Sequence, residues 1–86
     1  MNPNIYFDLG GLYFKFYKYL QNYDLSKIYY KKSIELGYFE ADKAFLNIGN
    51  ICIEQSDLTG QIEAYKAASQ LGNETARFWL WYRGYE

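Results

Sequence analysis

Two stretches of this chain, 35 residues apart, finish in the same way: Tyr30-Lys31-Lys32-Ser33-Ile34-Glu35-Leu36-Gly37 and Tyr65-Lys66-Ala67-Ala68-Ser69-Gln70-Leu71-Gly72. Each keeps a helical spacing of apolar and small residues up to a glycine, which tolerates the left-handed conformation that commonly closes a helix. Two other stretches begin alike at a spacing of 32, Ala44-x-x-x-Ile48-Gly49 and Ala76-x-x-x-Leu80-Trp81. A two-helix unit recurring about every 34 residues cannot bury its apolar face alone, so successive units must stack and share a core. The chain is thereby confined to a short helical array.

The elements follow from periodicity and punctuation. Pro3 can open a helix, since its missing N–H costs nothing in the first turn. Ile5, Leu9, Leu12, Tyr13, Phe16 and Leu20 then recur at three- and four-residue steps, predicting a helix over 3–20. Gln21-Asn22-Tyr23 reads as a turn, and Asp24 as the cap of a second helix that runs to Leu36 and stops at Gly37. A third helix is expected over 40–55, with Ala41, Ala44, Phe45, Ile48 and Cys52 in phase, and Ser56 or Asp57 caps the next. The fourth carries Leu58, Ile62, Tyr65, Ala68 and Leu71 and ends at Gly72; Asn73 caps a fifth, Glu74–Arg83. Short connections make neighbouring helices antiparallel, and no segment alternates as a strand does. The expected fold is all-α: a single domain over 1–86 of about five helices. It comprises an approximate repeat at 3–37, a better one at 40–72 and an unpaired C-terminal helix at 74–84.

The middle unit, 44–72, resembles the tetratricopeptide family. Ile48-Gly49-Asn50-Ile51-Cys52 is similar to its Leu-Gly-x-x-Tyr segment, and Ile62-Glu63-Ala64-Tyr65-Lys66-Ala67-Ala68 to its second-helix motif. Leu71-Gly72-Asn73-Glu74-Thr75-Ala76-Arg77-Phe78-Trp79-Leu80 resembles the joint between Sel-one-like repeats, a subgroup of that superfamily. An earlier unit aligns on Leu9-Gly10-Gly11-Leu12-Tyr13 with Ser26, Tyr30 and Ser33, its first helix about one turn longer than the family standard. Gln61, Cys52 and Trp81 depart from the pattern, standing where a small residue, a tyrosine and a glycine are usual. The resemblance implies antiparallel helix pairs and a role in binding protein, but its motifs specify packing and leave the ligand open.

Composition removes several functions. Nine basic against ten acidic residues give a net charge of −1, too little field to gather nucleic acid or an anionic membrane. Aromatics and lysines interleave over residues 13–32, as base stacking would need, but the charge balance opposes it. Lys27, Lys31 and Lys32, followed by Glu35, read as a solvated face. There is no histidine, which removes the commonest general base and metal ligand. Cys52 is the only cysteine, leaving no intramolecular disulfide or cysteine-based metal site, and it reads as a small buried hydrophobe. Gly10-Gly11 lacks the Lys-Ser/Thr of a phosphate-binding loop. No cofactor, metal site or catalytic residue is expected. Met1-Asn2-Pro3-Asn4 is not a signal-peptide start, and no run of about 18 apolar residues would span a membrane, so a cytoplasmic protein is the expectation. Tyrosine-rich composition without Val also fits an AT-rich coding sequence.

Binding then rests on surfaces. In tetratricopeptide-like arrays ligands usually lie on the concave face of the first helices. Counting helical phase from Gly10, Gly49 and Trp81, that face presents Phe7, Phe14, Lys15, Lys43, Leu46, Asn50, Ile53, Phe78 and Tyr82. Asn50 and Lys43 partly echo the family's carboxylate clamp, but Leu46 and Phe78 favour an apolar or aromatic contact. Part of this set also reads as ordinary packing between helices. The fifth helix, with Ala76, Phe78, Trp79, Leu80, Trp81, Tyr82 and Tyr85, is apolar on nearly every side, whereas a terminal solenoid helix needs a polar outer face. Trp81 and Tyr85 join the expected contact residues. The expected function is a non-catalytic module binding a partner polypeptide; a self-assembling homodimer through the fifth helix and a small inhibitor or regulator of an enzyme are the alternatives.

Overall fold

The protein was analysed as a computed structural model, which describes residues 2–16 and 21–86. Among these it is all-α, with five α-helices and one π-helical turn: α1 (Pro3–Gly11), the π-turn (Leu12–Phe16), α2 (Tyr23–Glu35), α3 (Ala41–Glu54), α4 (Leu58–Gln70) and α5 (Glu74–Arg83). α1 packs on α2, α3 on α4, and α4 on α5. The chain divides into two compact units, Met1–Phe39 and Glu40–Glu86, at the junction between the two repeats.

In the first unit the continuous helix expected over 3–20 is interrupted. α1 opens on Pro3, capped by the Asn2 side chain accepting from the Asn4 N–H at 2.9 Å, and gives way to the π-turn at Leu12. Gly10 and Gly11 supply little helical stability at that point. The carbonyls of Tyr13 and Phe14 leave the helix to accept from the Asn22 N–H (2.9 Å) and from the Gln21 side chain (3.2 Å). The part of the predicted helix at 17–20, like Met1, lies outside the described residues. Asn22, not Asp24, caps α2: its side chain accepts from the Leu25 N–H at 3.0 Å, and Asp24 falls in the first turn beside the positive end of the helix.

What joins α1 to α2 is a ring laid on bare backbone. Tyr30 is 2% exposed and lies over Gly10, where a Cβ would sit 2.8 Å from the ring. Ser26, also buried, donates from Oγ to the Gly10 carbonyl at 2.6 Å. Phe7 stacks on Tyr38 and meets Tyr30 edge-on, with centroids 4.4 and 5.3 Å apart, and Tyr29 stacks on both Tyr6 and Tyr13. The contacts pair falling numbers on α1 with rising numbers on α2, so the helices are antiparallel.

The second unit repeats the device. Tyr65 of α4 lies over Gly49 of α3, where an added Cβ would overlap the ring, and its hydroxyl donates to Asn50 Oδ1. Ala44, Ile48, Ile51 and Cys52 of α3 are buried, as are Ala64 and Ala68 of α4 and Ala76 and Leu80 of α5. The helices also close alike. Tyr38, Asp57, Asn73 and Tyr85 each donate a backbone N–H to the carbonyl five residues earlier, at 2.8–3.0 Å. Gly37, Gly72 and Gly84 take the positive φ that such an ending requires; after α3 the strained position falls on Ser56. Asp57 then caps α4 and Asn73 caps α5.

Gly49→Ala tests the ring-on-backbone contact. Overpacking costs about 3 kcal/mol at the upper end of its usual range, against about 1 kcal/mol gained in helix propensity. Thermal melting followed by circular dichroism should show the midpoint falling by on the order of 10 °C. An unchanged or raised midpoint would mean that Tyr65 does not need the bare backbone.

Candidate interaction surface

α5 is held by one face only. Asn73 accepts from the Ala76 N–H at 2.9 Å and donates to Asp42 Oδ2 at the start of α3, also at 2.9 Å, so one buried side chain starts α5 and ties it to α3. Ala76 and Leu80 then form a buried cluster with Tyr65 and Ala68, flanked by Phe45, Leu46, Ile62 and Trp79. Trp79 meets Tyr65 edge-on at 4.8 Å, Tyr85 stacks on Trp79 at 5.8 Å, and the Arg83 guanidinium lies 5.5 Å over the same indole. Glu74 in the first turn and Arg83 in the last match the helix dipole.

The opposite face carries Phe78, Trp81 and Tyr82, at positions i, i+3 and i+4, exposed by 63, 66 and 72%. Phe78 stacks on Tyr82 and tilts against Trp81, each pair with centroids 6.1 Å apart. Arg77, Glu74 and Glu86 join Phe78 and Trp81 around a shallow concavity. Side chains of this size present on the order of 200 Å² each. At these exposures the three leave roughly 400 Å² of contiguous aromatic surface in water, within the roughly 300–600 Å² of the largest apolar patch on an ordinary monomer, which is often functional.

The structure separates the predicted contact residues. Phe78, Trp81, Tyr82 and Tyr85 are exposed, and the first three form one cluster. Phe14 is a correction: it is buried, its ring edge-on to Tyr23 and the Lys15 ammonium 5.6 Å from its centroid. Phe7 is half-buried between Tyr30 and Tyr38. Leu46 packs against the α4–α5 cluster and Asn50 accepts from Tyr65, so both serve the pairing of helices. Lys15, Lys43 and Ile53 are exposed, and Lys43 pairs with Glu40 in the same turn. Sequence reasoning passed over Phe39, 80% exposed and edge-on to Tyr38. Its signal is the three extra residues between Gly37 and Ala44 relative to Gly72 and Ala76. Lys31 and Lys32 are exposed, beside Ile28 and Tyr29 on a shallow surface of α2.

Among the described residues no three acidic or cysteine side chains gather as a metal site requires, and no helix is long and apolar enough to cross a membrane. No protein-family profile, curated protein or solved structure matches the chain.

Burial pushes the Tyr65 hydroxyl above its ordinary value of 10.0, and a hydrogen bond with Gln61 partly counters it. The neutral phenol is thus the folded form. Its contribution is complete below about pH 10 and is lost as pH rises through the higher folded-state value. Tyr65→Phe should be less stable than the parent by about 1 kcal/mol at pH 8, where Asn50 and Gln61 lose a partner, yet lose less between pH 10 and 11. Thermal melts across that range check this; parallel curves for the two proteins would refute it.

Proposed function

We propose that this chain is a non-catalytic protein-interaction module of the tetratricopeptide-like kind, which engages a partner polypeptide through the outer face of α5. The observation that carries the reading is the exposed cluster of Phe78, Trp81 and Tyr82. Large aromatic rings give much contact area for few rotatable bonds and are enriched among the anchors of protein interfaces. A tetratricopeptide-like origin is supported by the two glycine–tyrosine helix pairs and their common endings. Lys15, Lys43 and Ile53 are exposed but stand outside this cluster, and Phe7, Phe14, Leu46 and Asn50 belong to packing.

Replacing Trp81 and Tyr82 together by Ser should abolish capture of partner protein from host extract. The purified variant should keep its helical circular dichroism and stay within about 0.5 kcal/mol of the parent in stability, as exposed positions usually do. Undiminished capture by the folded variant would place binding elsewhere.

A further inference from the structure

The internal repeat indicates what kind of object covers α5. With Ala44 aligned on Ala76 and Ile48 on Leu80, both buried pairs, the positions on α3 equivalent to Arg77, Phe78, Trp81 and Tyr82 are Phe45, Leu46, Gly49 and Asn50. All four are engaged by helix packing around Tyr65. Gly49 lies beneath its ring, Asn50 accepts from its hydroxyl, and Phe45 and Leu46 pack against the cluster that contains it. Through Gly49 and Asn50, the face equivalent to the one that α5 leaves in water is given by α3 to its antiparallel partner α4.

Resting on the interaction reading above, we propose that the outer face of α5 is a receptor for a single amphipathic α-helix of another polypeptide, docked antiparallel as α4 docks on α3, with the ring and the gap exchanged. On α3 the receiving helix supplies the gap, Gly49, and the incoming helix the ring, Tyr65. On α5 the receiving helix supplies the ring, Trp81. The incoming helix must therefore present Gly, Ala or Ser opposite it.

The buried area sets aside an obligate pairing of two α5 faces as the occupant. Each copy offers roughly 400 Å² of aromatic surface, so two together bury roughly 800 Å², whereas an obligate dimer interface buries about 2,000 Å² or more.

The test uses the chain itself and two synthetic helix-stabilised peptides of residues 57–71, one with Tyr65 and one with Tyr65→Ala, titrated while tryptophan fluorescence is followed. The parent should bind the Ala peptide at least tenfold more tightly than the Tyr peptide, with a blue shift lost in the Trp81→Ser/Tyr82→Ser variant. A Trp81→Gly chain, checked for retained helicity, should reverse the preference, because its gap now accepts the ring. The same order of affinity in both proteins overturns the ring-and-gap exchange. Absence of binding by either peptide at millimolar concentration, while capture from extract still depends on Trp81 and Tyr82, overturns the helical partner and leaves the interaction reading standing. A doubled solution mass at tens of micromolar, abolished by the Ser variant, overturns the choice of occupant.

Discussion

The helix pair in each unit depends on a tyrosine ring packed against a stretch of backbone that has no side chain. In both units the glycine sits on the first helix of the pair and the tyrosine on the second: Tyr30 over Gly10 and Tyr65 over Gly49. The contact brings two helices closer than side chains on both would allow, and dispersion across a close-packed junction is where small cores gain density. It also fixes register. A ring can lie over only one gap, and the neighbouring polar groups then fall into place: Ser26 on the Gly10 carbonyl and Asn50 beneath the Tyr65 hydroxyl. Ala68, Ala76 and the buried serines are small because helices held this near leave room for little else.

α5 repeats the buried small and aliphatic pair of α3 without its gap. Ala76 and Leu80 are buried as Ala44 and Ile48 are, but Trp81 stands where Gly49 stood. The Asn73 cap and glycine-closed end of α5 have no counterpart on α3, which lacks a side-chain cap and closes at Ser56. Burying roughly 400 Å² at about 25 cal/mol per Å² yields about 10 kcal/mol before any cost. Association consumes about 4–15 kcal/mol of that. The surface is therefore suited to a reversible partner, whose dissociation the small contact area permits.

Much of this was legible in the sequence because helix ends are written in few letters. Leu-Gly at 36–37 and 71–72, Pro3, and Asn73 ahead of an acidic first turn each denote one local geometry, and each forms it. The exposed aromatic face of α5 was legible for a different reason: its apolar residues are too many for one buried stripe. The π-turn was not, since Leu12 and Phe16 keep a helical spacing and the interruption depends on Tyr13 and Phe14 carbonyls finding donors at 21 and 22. Helical phase placed Phe14 on an open face, and the turn's wider winding carries it inward onto Tyr23. Likewise Asn22, not Asp24, is the cap, because the chain is still extended at Asn22 and already helical at Asp24. Phase counting fails where the helix is irregular, as over Leu12–Phe16, and on the regular α3 it still counts Leu46 and Asn50 as open although neighbouring helices engage both.

The same tyrosine-rich composition therefore does two separable things. Tyr30, Tyr38 and Tyr65 are nearly sealed and act as core, each matched to a glycine or another ring. Tyr82, with Phe78 and Trp81, contributes almost nothing to packing within the chain, because the inner face of α5 is filled by Ala76, Leu80 and the indole of Trp79. Among the described residues the inner face and the Asn73 cap hold α5 in place, so an occupant on its outer side adds to its stability. Binding and ordering of α5 are then linked: a ligand of the outer face stabilises the helix by RT ln(1 + [L]/Kd), and loosening the Asn73–Asp42 tie weakens the ligand only as far as it depopulates the ordered helix.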